Sequence, residues 1–234
     1  MEEFIKENYF IITYGVEFLA ALTGLFLFNK YRLTAAKYFI CFLSYTFLID
    51  LLGGYVYRIG DYSFLHILKR TVFVKNYWYY TLFWQIGGTL FFVFYYNKIL
   101  KTNTLKSVLK LTGLFLFIFS IGYILFNFDA YFSGYLSVIR VLSTVIIFIC
   151  VVFYFVELLS SNKILTFYKS IDFYISAIIF IWWLITTPLV FYDIYNFNKD
   201  WNFIFLKWEI YLLANLFMYL TFTFALIWCK PQND

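Results

Sequence analysis

YLSVIRVLSTVIIFICVVFYFVEL (residues 135–158) is an apolar run in which Arg140 and Glu157 are the only charged side chains. A helix needs about 20 predominantly apolar residues to cross a bilayer core of about 30 Å. The apolar residues are continuous rather than alternating, and an open sheet edge cannot face lipid, so a strand is excluded. The run therefore predicts a transmembrane helix, and this prediction decides the fold.

Six more segments of the chain have the same character. Together they predict an all-α membrane protein, with a single domain of seven transmembrane helices over residues 1–234. The predicted spans are 9–28, 35–57, 77–96, 108–126, 135–158, 171–194 and 203–228. The connections are short, except for residues 58–76, which hold the only histidine, His66, and could form an amphipathic cap.

The composition excludes several classes of protein. The chain is 64% hydrophobic and 13% charged, whereas a soluble domain is about 45–50% apolar and about 25% charged. The net charge of +5 comes mainly from lysines in short loops, which gives no dense basic patch for a nucleic acid. Cys41, Cys150 and Cys229 have neither disulfide-framework nor zinc spacing, and no hydrolase or P-loop motif occurs. We therefore expect no cofactor and no nucleic-acid partner, and an enzyme is not favoured.

The basic residues of the short loops predict an orientation. Residues 98–110 form a purely basic connection, whereas the N-terminal tail carries Glu2, Glu3 and Glu7. The expected arrangement has the N-terminus outside and the C-terminus in the cytoplasm, in the cytoplasmic (inner) membrane of a bacterium.

Five polar side chains interrupt five of the predicted spans. They are Glu17, Asp50, Gln85, Arg140 and Glu209. At 1.5 Å per residue, each lies about 7–12 Å from the outer end of its span. An ionisable residue at the centre of a span costs roughly 2.5–3.5 kcal/mol, so such residues are expected to face the bundle and find partners. The five residues therefore predict one polar layer in the outer half of the membrane.

The polar layer has more than one interpretation. Arg140 is its only cation, and a bidentate ion pair with Glu209, or else with Asp50, is expected. The surplus acids favour an outward-facing pocket that binds or transports a small molecule or cation. The alternative is a packing network in a structural, accessory or sensory subunit that acts through a partner protein or a homo-oligomer. A membrane enzyme using Asp50 and Glu17 for acid–base chemistry is the third interpretation.

Two halves of the chain share a sequence pattern. KNYWYYTLFWQI (75–86) aligns without a gap with KDWNFIFLKWEI (199–210), so that Gln85 matches Glu209. The pattern predicts that spans 1–3 correspond to spans 5–7, with span 4 as a connector. Chance similarity between aromatic-rich spans is the alternative.

Two resemblances follow from these patterns. A three-one-three chain resembles SWEET and PQ-loop transporters in architecture, although Pro231-Gln232 lies in the tail here and not in a helix. The stretches ILTFYKSIDFYISAIIFIWWLITTPLVFYDIY (164–195) and TFTFALIWCKP (221–231) resemble an uncharacterised family of bacterial seven-helix membrane proteins. That resemblance implies the seven-helix fold over most of the chain and brings no activity with it.

Overall fold

The computed structural model describes residues 2–60, 62–195 and 201–231. All regular elements of these residues are helical, so the all-α prediction is confirmed. The α-helices are α1 (Glu2–Phe26), α2 (Phe28–Tyr31), α3 (Ala36–Gly53), α4 (Tyr77–Tyr79), α5 (Gly88–Ile99), α6 (Asn103–Phe126), α7 (Phe128–Ser133), α8 (Ser137–Leu159), α9 (Ile171–Tyr195) and α10 (Trp201–Trp228). Between α4 and α5 lies a π-helical stretch, Tyr80–Gly87, which we call the π-segment. Short 3-10 helices are Gly54–Arg58, Ser63–Arg70, Val72–Val74, Asn162–Leu165 and Phe167–Lys169.

Six helices of the described residues are long and apolar enough to cross a bilayer. Their spans are Ile5–Phe26, Ala36–Arg58, Asn103–Phe126, Ser137–Leu159, Ile171–Leu189 and Phe203–Trp228. Many of their large apolar side chains are exposed, such as Leu111, Leu114 and Ile118 along α6. Apolar surface on that scale is typical of helices that face lipid. The chain is thus a multi-pass membrane protein.

The prediction of seven transmembrane helices is not confirmed. The missing one is the third predicted span, 77–96, which the structure divides into α4, the π-segment and α5. The longest of these α-helices, α5, has 12 residues, which is shorter than a bilayer crossing requires. The interruption explains why this span is not among the six.

The described contacts group the chain into two compact units. Unit 1 comprises Met1–Ser44 and Tyr154–Asp234, and unit 2 comprises Tyr45–Phe153, so the boundaries fall within α3 and α8. The prediction of a single domain stays a prediction.

In unit 1, α10 packs against both α1 and α9. Tyr9 of α1 contacts Trp208 at one end of α10, with ring centroids 5.9 Å apart. At the other end, the Lys30 ammonium donates to the carbonyl oxygen of Leu226 at 3.0 Å. Residue numbers increase on both sides from the first contact to the second, so α1 and α10 run in the same direction. Conversely, α9 is antiparallel to α10, because Tyr174 contacts Phe224 at one end.

In unit 2, α5 and α6 form an antiparallel pair. The Asn97 side-chain amide donates to the carbonyl oxygen of Lys106 at 2.9 Å. Farther along, a Cβ atom on Gly113 would lie 2.9 Å from Val93 Cγ1, so the two backbones approach closely there. A small apolar cluster joins the π-segment, α7 and α8. Its buried members are Ile86, Tyr131, Leu136 and Ile139.

The predicted internal repeat is not confirmed. Residues 80–86 are π-helical, whereas their proposed counterparts 204–210 belong to the regular helix α10. Lys199 and Asp200, which begin the second copy, lie outside the described residues.

Candidate functional site

The structure distributes the five predicted polar residues over both units. Glu17 on α1 and Glu209 on α10 belong to unit 1, and Asp50 on α3, Gln85 in the π-segment and Arg140 on α8 belong to unit 2. Glu17 is 1% exposed and Gln85 is 5% exposed. The other three are partly buried. Two polar groups, one in each unit, therefore have to be considered separately.

The register of α1 on α10 determines what surrounds Glu17. Interpolation between the Tyr9–Trp208 contact and the bond from Lys30 to Leu226 brings Glu17 level with Asn215. Glu209 lies six residues earlier in α10, which corresponds to about 9 Å along the helix. The prediction that Glu17 and Glu209 share one polar layer stays a prediction.

Hydrogen-bonding side chains of α9 complete the unit 1 polar group. The Trp182 indole Nε1 donates to Asn215 Oδ1 at 2.8 Å. Thr186 lies one turn after Trp182 in α9. Thr13 lies one turn before Glu17 in α1. Both threonines are buried. Because α9 and α10 are antiparallel, both threonines are level with Tyr211. The group is a buried carboxyl among hydroxyl, amide and indole groups.

The π-segment has backbone carbonyls that accept hydrogen bonds from side chains. Tyr45 on α3 donates its hydroxyl to the carbonyl oxygen of Phe83 at 2.9 Å. The Gln85 carbonyl accepts from Thr89 Oγ1 at 2.6 Å and from Ser143 Oγ on α8 at 3.5 Å. A π-helical stretch disturbs the ordinary ladder of backbone bonds and frequently marks a functional site. Here it gives neighbouring helices access to carbonyl oxygens inside the apolar bundle.

Three polar atoms near this segment lack partners. Thr81 Oγ1, Gln85 Oε1 and Ser120 Oγ are buried, and no described residue forms a hydrogen bond with them. Continuing the α5–α6 register from Val93 and Gly113 places Ser120 level with Ile86, and α6 packs against the π-segment. An unsatisfied buried donor or acceptor costs about 1–3 kcal/mol. These groups need water or a ligand to be satisfied.

Asp50 and Arg140 lie one helical turn away, toward Tyr77. Gly53 of α3 lies beside the start of the segment, because a Cβ atom on it would lie 2.6 Å from the Tyr80 hydroxyl and its carbonyl accepts from the Asn76 side-chain amide at 2.8 Å. Asp50 comes three residues earlier in α3. Arg140 precedes Ser143 by three residues in α8. We call Thr81, Gln85, Ser120 and Ser143 the π-segment site, with Asp50 and Arg140 at its rim.

The Arg140 guanidinium contacts an aromatic ring. It lies over the ring of Tyr135, 5.8 Å from the centroid, near the start of α8. Arginine over an aromatic face is a favourable cation–π arrangement. Of the two expected partners of Arg140, Asp50 shares unit 2, whereas Glu209 belongs to unit 1.

Sequence reasoning found Gln85 but missed its neighbours. Hydroxyl groups carry little signal in an apolar span, because they can bond to the carbonyls of their own helix. Thr144, whose Oγ1 donates to the Arg140 carbonyl at 2.9 Å, does so, while Ser143 one position earlier bonds to another helix. The sequence does not distinguish these two cases. Among the described residues, no three His, Cys, Asp or Glu side chains cluster as metal ligands.

Comparison of the chain with family models, curated proteins and solved structures finds no match. The resemblances noted in the sequence stay predictions.

Proposed function

We propose that this multi-pass membrane protein binds a small cation, either a metal ion or a protonated amine, at the π-segment site. The observation that carries the proposal is the buried, unsatisfied set of Thr81 Oγ1, Gln85 Oε1 and Ser120 Oγ. All three are oxygen atoms, and neutral oxygens are the ligands that hard cations take from proteins. A bound cation removes the cost of burying them.

The charges at the rim support entry from the Tyr77 end. Asp50 lies at this end of the site, and its carboxylate, when ionised, attracts a cation toward the oxygens. The Arg140 guanidinium lies over the ring of Tyr135, a cation–π contact that stabilises its positive charge at the rim. Under the predicted orientation this entrance faces outside. The predicted span 77–96, which α4, the π-segment and α5 cover together without a gap, is then the seventh crossing of a bacterial cytoplasmic membrane. Glu17 and Glu209 form a separate polar group in unit 1, and their part in ligand binding stays a prediction.

The runner-up function is that of an accessory or sensory subunit whose polar groups only lock helices together. The bonds from Tyr45 to Phe83 and from Trp182 to Asn215 favour it, because each joins two helices without any ligand. In that case the unsatisfied oxygens hold water.

Thiol accessibility distinguishes the two functions. Cys41, Cys150 and Cys229 are replaced by Ala, and a single cysteine is introduced as Gln85→Cys. Intact cells and inside-out vesicles are treated with a membrane-impermeant thiol reagent. Two matched variants in the same background are Leu114→Cys, on the exposed apolar face of α6, and Lys101→Cys, in an exposed loop.

Labelling of Gln85→Cys from both sides supports transport, and labelling from outside alone supports a receptor-like pocket. The Leu114→Cys variant is expected to stay unlabelled, and Lys101→Cys to be labelled from one side only. A folded Gln85→Cys protein that is unlabelled from both sides refutes a ligand pocket and leaves the packing network.

A further inference from the structure

A cavity lies at the end of unit 1 where α1 and α2 lead into α3. It has a volume of about 450 Å³ and is open to the surroundings. Its lining residues are Asn29, Lys30, Arg32, Leu33, Thr34 and Pro231. We call it the basic pocket, because the charged residues that line it in the described part of the chain are a lysine and an arginine.

Lys30 is fixed in this pocket by the end of α10. Its ammonium donates to the carbonyl oxygens of Leu226 at 3.0 Å and Ile227 at 2.9 Å. These carbonyls belong to the last turn of the helix, which has no further backbone donors of its own. The bonds hold one positive charge at the pocket wall without neutralising it by a carboxylate.

Arg32 is the cation available to a ligand. Its side chain is exposed, and no carboxylate of the described residues forms an ion pair with it. A guanidinium presents several N–H donors in a planar fork that matches the oxygens of a phosphate. Since Asn29 and Thr34 line the same cavity, uncharged hydrogen-bonding groups accompany the two cations.

Two further features of the basic pocket favour a negatively charged ligand. Thr34 comes just before Ala36, the first residue of α3, and the start of a helix favours negative charge. Asp172 and Lys230 line a separate crevice of about 10 Å³ that shares Thr34 and Pro231 with the pocket. The acid is thus outside the larger cavity and is accompanied by a lysine.

We propose that the basic pocket binds a phosphate group, as carried by the headgroup of an anionic phospholipid. Leu33 is 81% exposed beside the cations, so an apolar surface for an acyl chain adjoins the place for the phosphate. Clusters of basic residues at the ends of transmembrane helices bind acidic headgroups in this manner. A free phosphate ester shares the chemistry, and the experiment separates the two sources.

The test compares Arg32→Gln with Lys110→Gln in the full-length protein. Lys110 is exposed on α6, lies outside the pocket and has the same charge, so it is the matched control. Arg32→Gln leaves the bonds between Lys30 and α10 intact, and Arg32→Lys keeps the charge but loses the planar fork. Binding is measured for detergent-solubilised protein with phosphatidylglycerol by native mass spectrometry, and with inorganic phosphate by calorimetry.

Phosphatidylglycerol is expected to bind the wild type. Its affinity for Arg32→Gln is expected to be reduced by about tenfold or more, as for loss of a charge-assisted hydrogen bond. Lys110→Gln is expected to bind normally and Arg32→Lys at an intermediate level. Phosphate binding that depends equally on Arg32, without any preference for the lipid, assigns the pocket to free phosphate esters and overturns the lipid headgroup as its source. If wild type, Arg32→Gln and Lys110→Gln bind the lipid with the same affinity as one another, and likewise bind phosphate with the same affinity, the proposed site is overturned.

Discussion

The indole Nε1 of Trp182 donates a hydrogen bond to Oδ1 of Asn215 across 2.8 Å, and so joins α9 to α10 within unit 1. Both residues lie deep in long apolar helices, where water does not compete for these groups. The bond fixes which turns of the two helices face each other. On the other side of α10, the contacts of Tyr9 and Lys30 bring Glu17 of α1 level with Asn215.

Loss of the indole donor is expected to destabilise unit 1. Trp182→Phe removes the bond to Asn215 and is expected to lower the free energy of unfolding by about 1 kcal/mol beyond the loss of ring packing, as for interhelical bonds in membranes. Unfolding in mixed micelles measures the change.

A double-mutant cycle separates the bond from the packing. The loss from Trp182→Phe is expected to shrink when Asn215→Leu is already present, since no acceptor then remains. Trp183→Phe removes the same atoms from the adjacent, partly buried tryptophan and is the matched control. Strictly additive effects of Trp182→Phe and Asn215→Leu would show that the bond contributes nothing.

Gly87 is expected to be intolerant of a side chain. A Cβ atom there would lie 2.8 Å from the Tyr45 hydroxyl, which is itself bonded to the Phe83 carbonyl. Gly87→Ala must therefore displace Tyr45 and break that bond. We expect a loss of about 1–3 kcal/mol, as for overpacking of a core, measured by thermal unfolding in detergent.

Removal of the Tyr45 hydroxyl should relieve the clash. Gly87→Ala combined with Tyr45→Phe is expected to be less destabilised than the sum of the two single variants. Gly122→Ala on α6 is the control, because no atom lies within 4 Å of its added Cβ, and alanine favours a helix by up to about 1 kcal/mol. Equal effects at Gly87 and Gly122 would contradict the close approach.

Gln85 provides the most direct test of cation binding by stability. If the π-segment site binds a cation, wild-type protein gains about 2.7 kcal/mol at a ligand concentration of 100 Kd. Gln85→Leu is expected to abolish that gain and, since Oε1 has no partner among the described residues, to make the ligand-free protein more stable. Melting temperatures are compared in sodium, potassium, calcium and methylammonium chlorides.

A control distinguishes this effect from general salt effects. Thr112→Val on α6 removes a hydroxyl that bonds only to the Leu109 carbonyl of its own helix, at 2.9 Å. That variant is expected to keep the full response to the cation. Identical responses of wild type and Gln85→Leu to every cation in the panel would refute the proposed site.

The sequence predicts the long apolar helices well and the interruption between them poorly. Helix α6 ends at Phe126 and α10 at Trp228, as expected, because continuous apolar runs define spans without further information. The same criterion reads residues 77–96 as one more ordinary span. No residue pattern indicates that the backbone changes to a π-helix from Tyr80 to Gly87.

The polar residues are also only partly predictable from the sequence. Ionisable side chains such as Glu17 stand out in an apolar run because their burial is costly. Depth counted from the end of a span does not give the register between two helices, so the sequence alone does not show which side chains of α1 and α10 face each other. The sequence does not single out Asn215, and only the packing of α1, α9 and α10 shows that it lies level with Glu17.

The end of unit 1 near the basic pocket is expected to lose stability at alkaline pH. Burial raises the pKa of the Cys229 thiol from 9.0 to about 11, with nearby Lys30 lowering it and Asp172 raising it. Because the folded-state pKa is higher than the unfolded one, the contribution of the thiol to stability is fully present below pH 9. It is lost as pH rises through about 11. Burial of the Tyr31 hydroxyl, which donates to the Leu226 and Cys229 carbonyls, raises its pKa and acts in the same direction.

Cys229→Ala isolates this contribution, since it removes the titrating thiol and leaves Tyr31 in place. The difference in melting temperature between wild type and Cys229→Ala is expected to stay constant up to pH 9 and to move in favour of the variant between pH 9 and 11. Cys41→Ala, at an exposed position on α3, is the control for loss of a thiol. A wild-type advantage over Cys229→Ala that persists unchanged to pH 11 would show that the thiol does not ionise at a higher pH in the folded protein than in the unfolded chain.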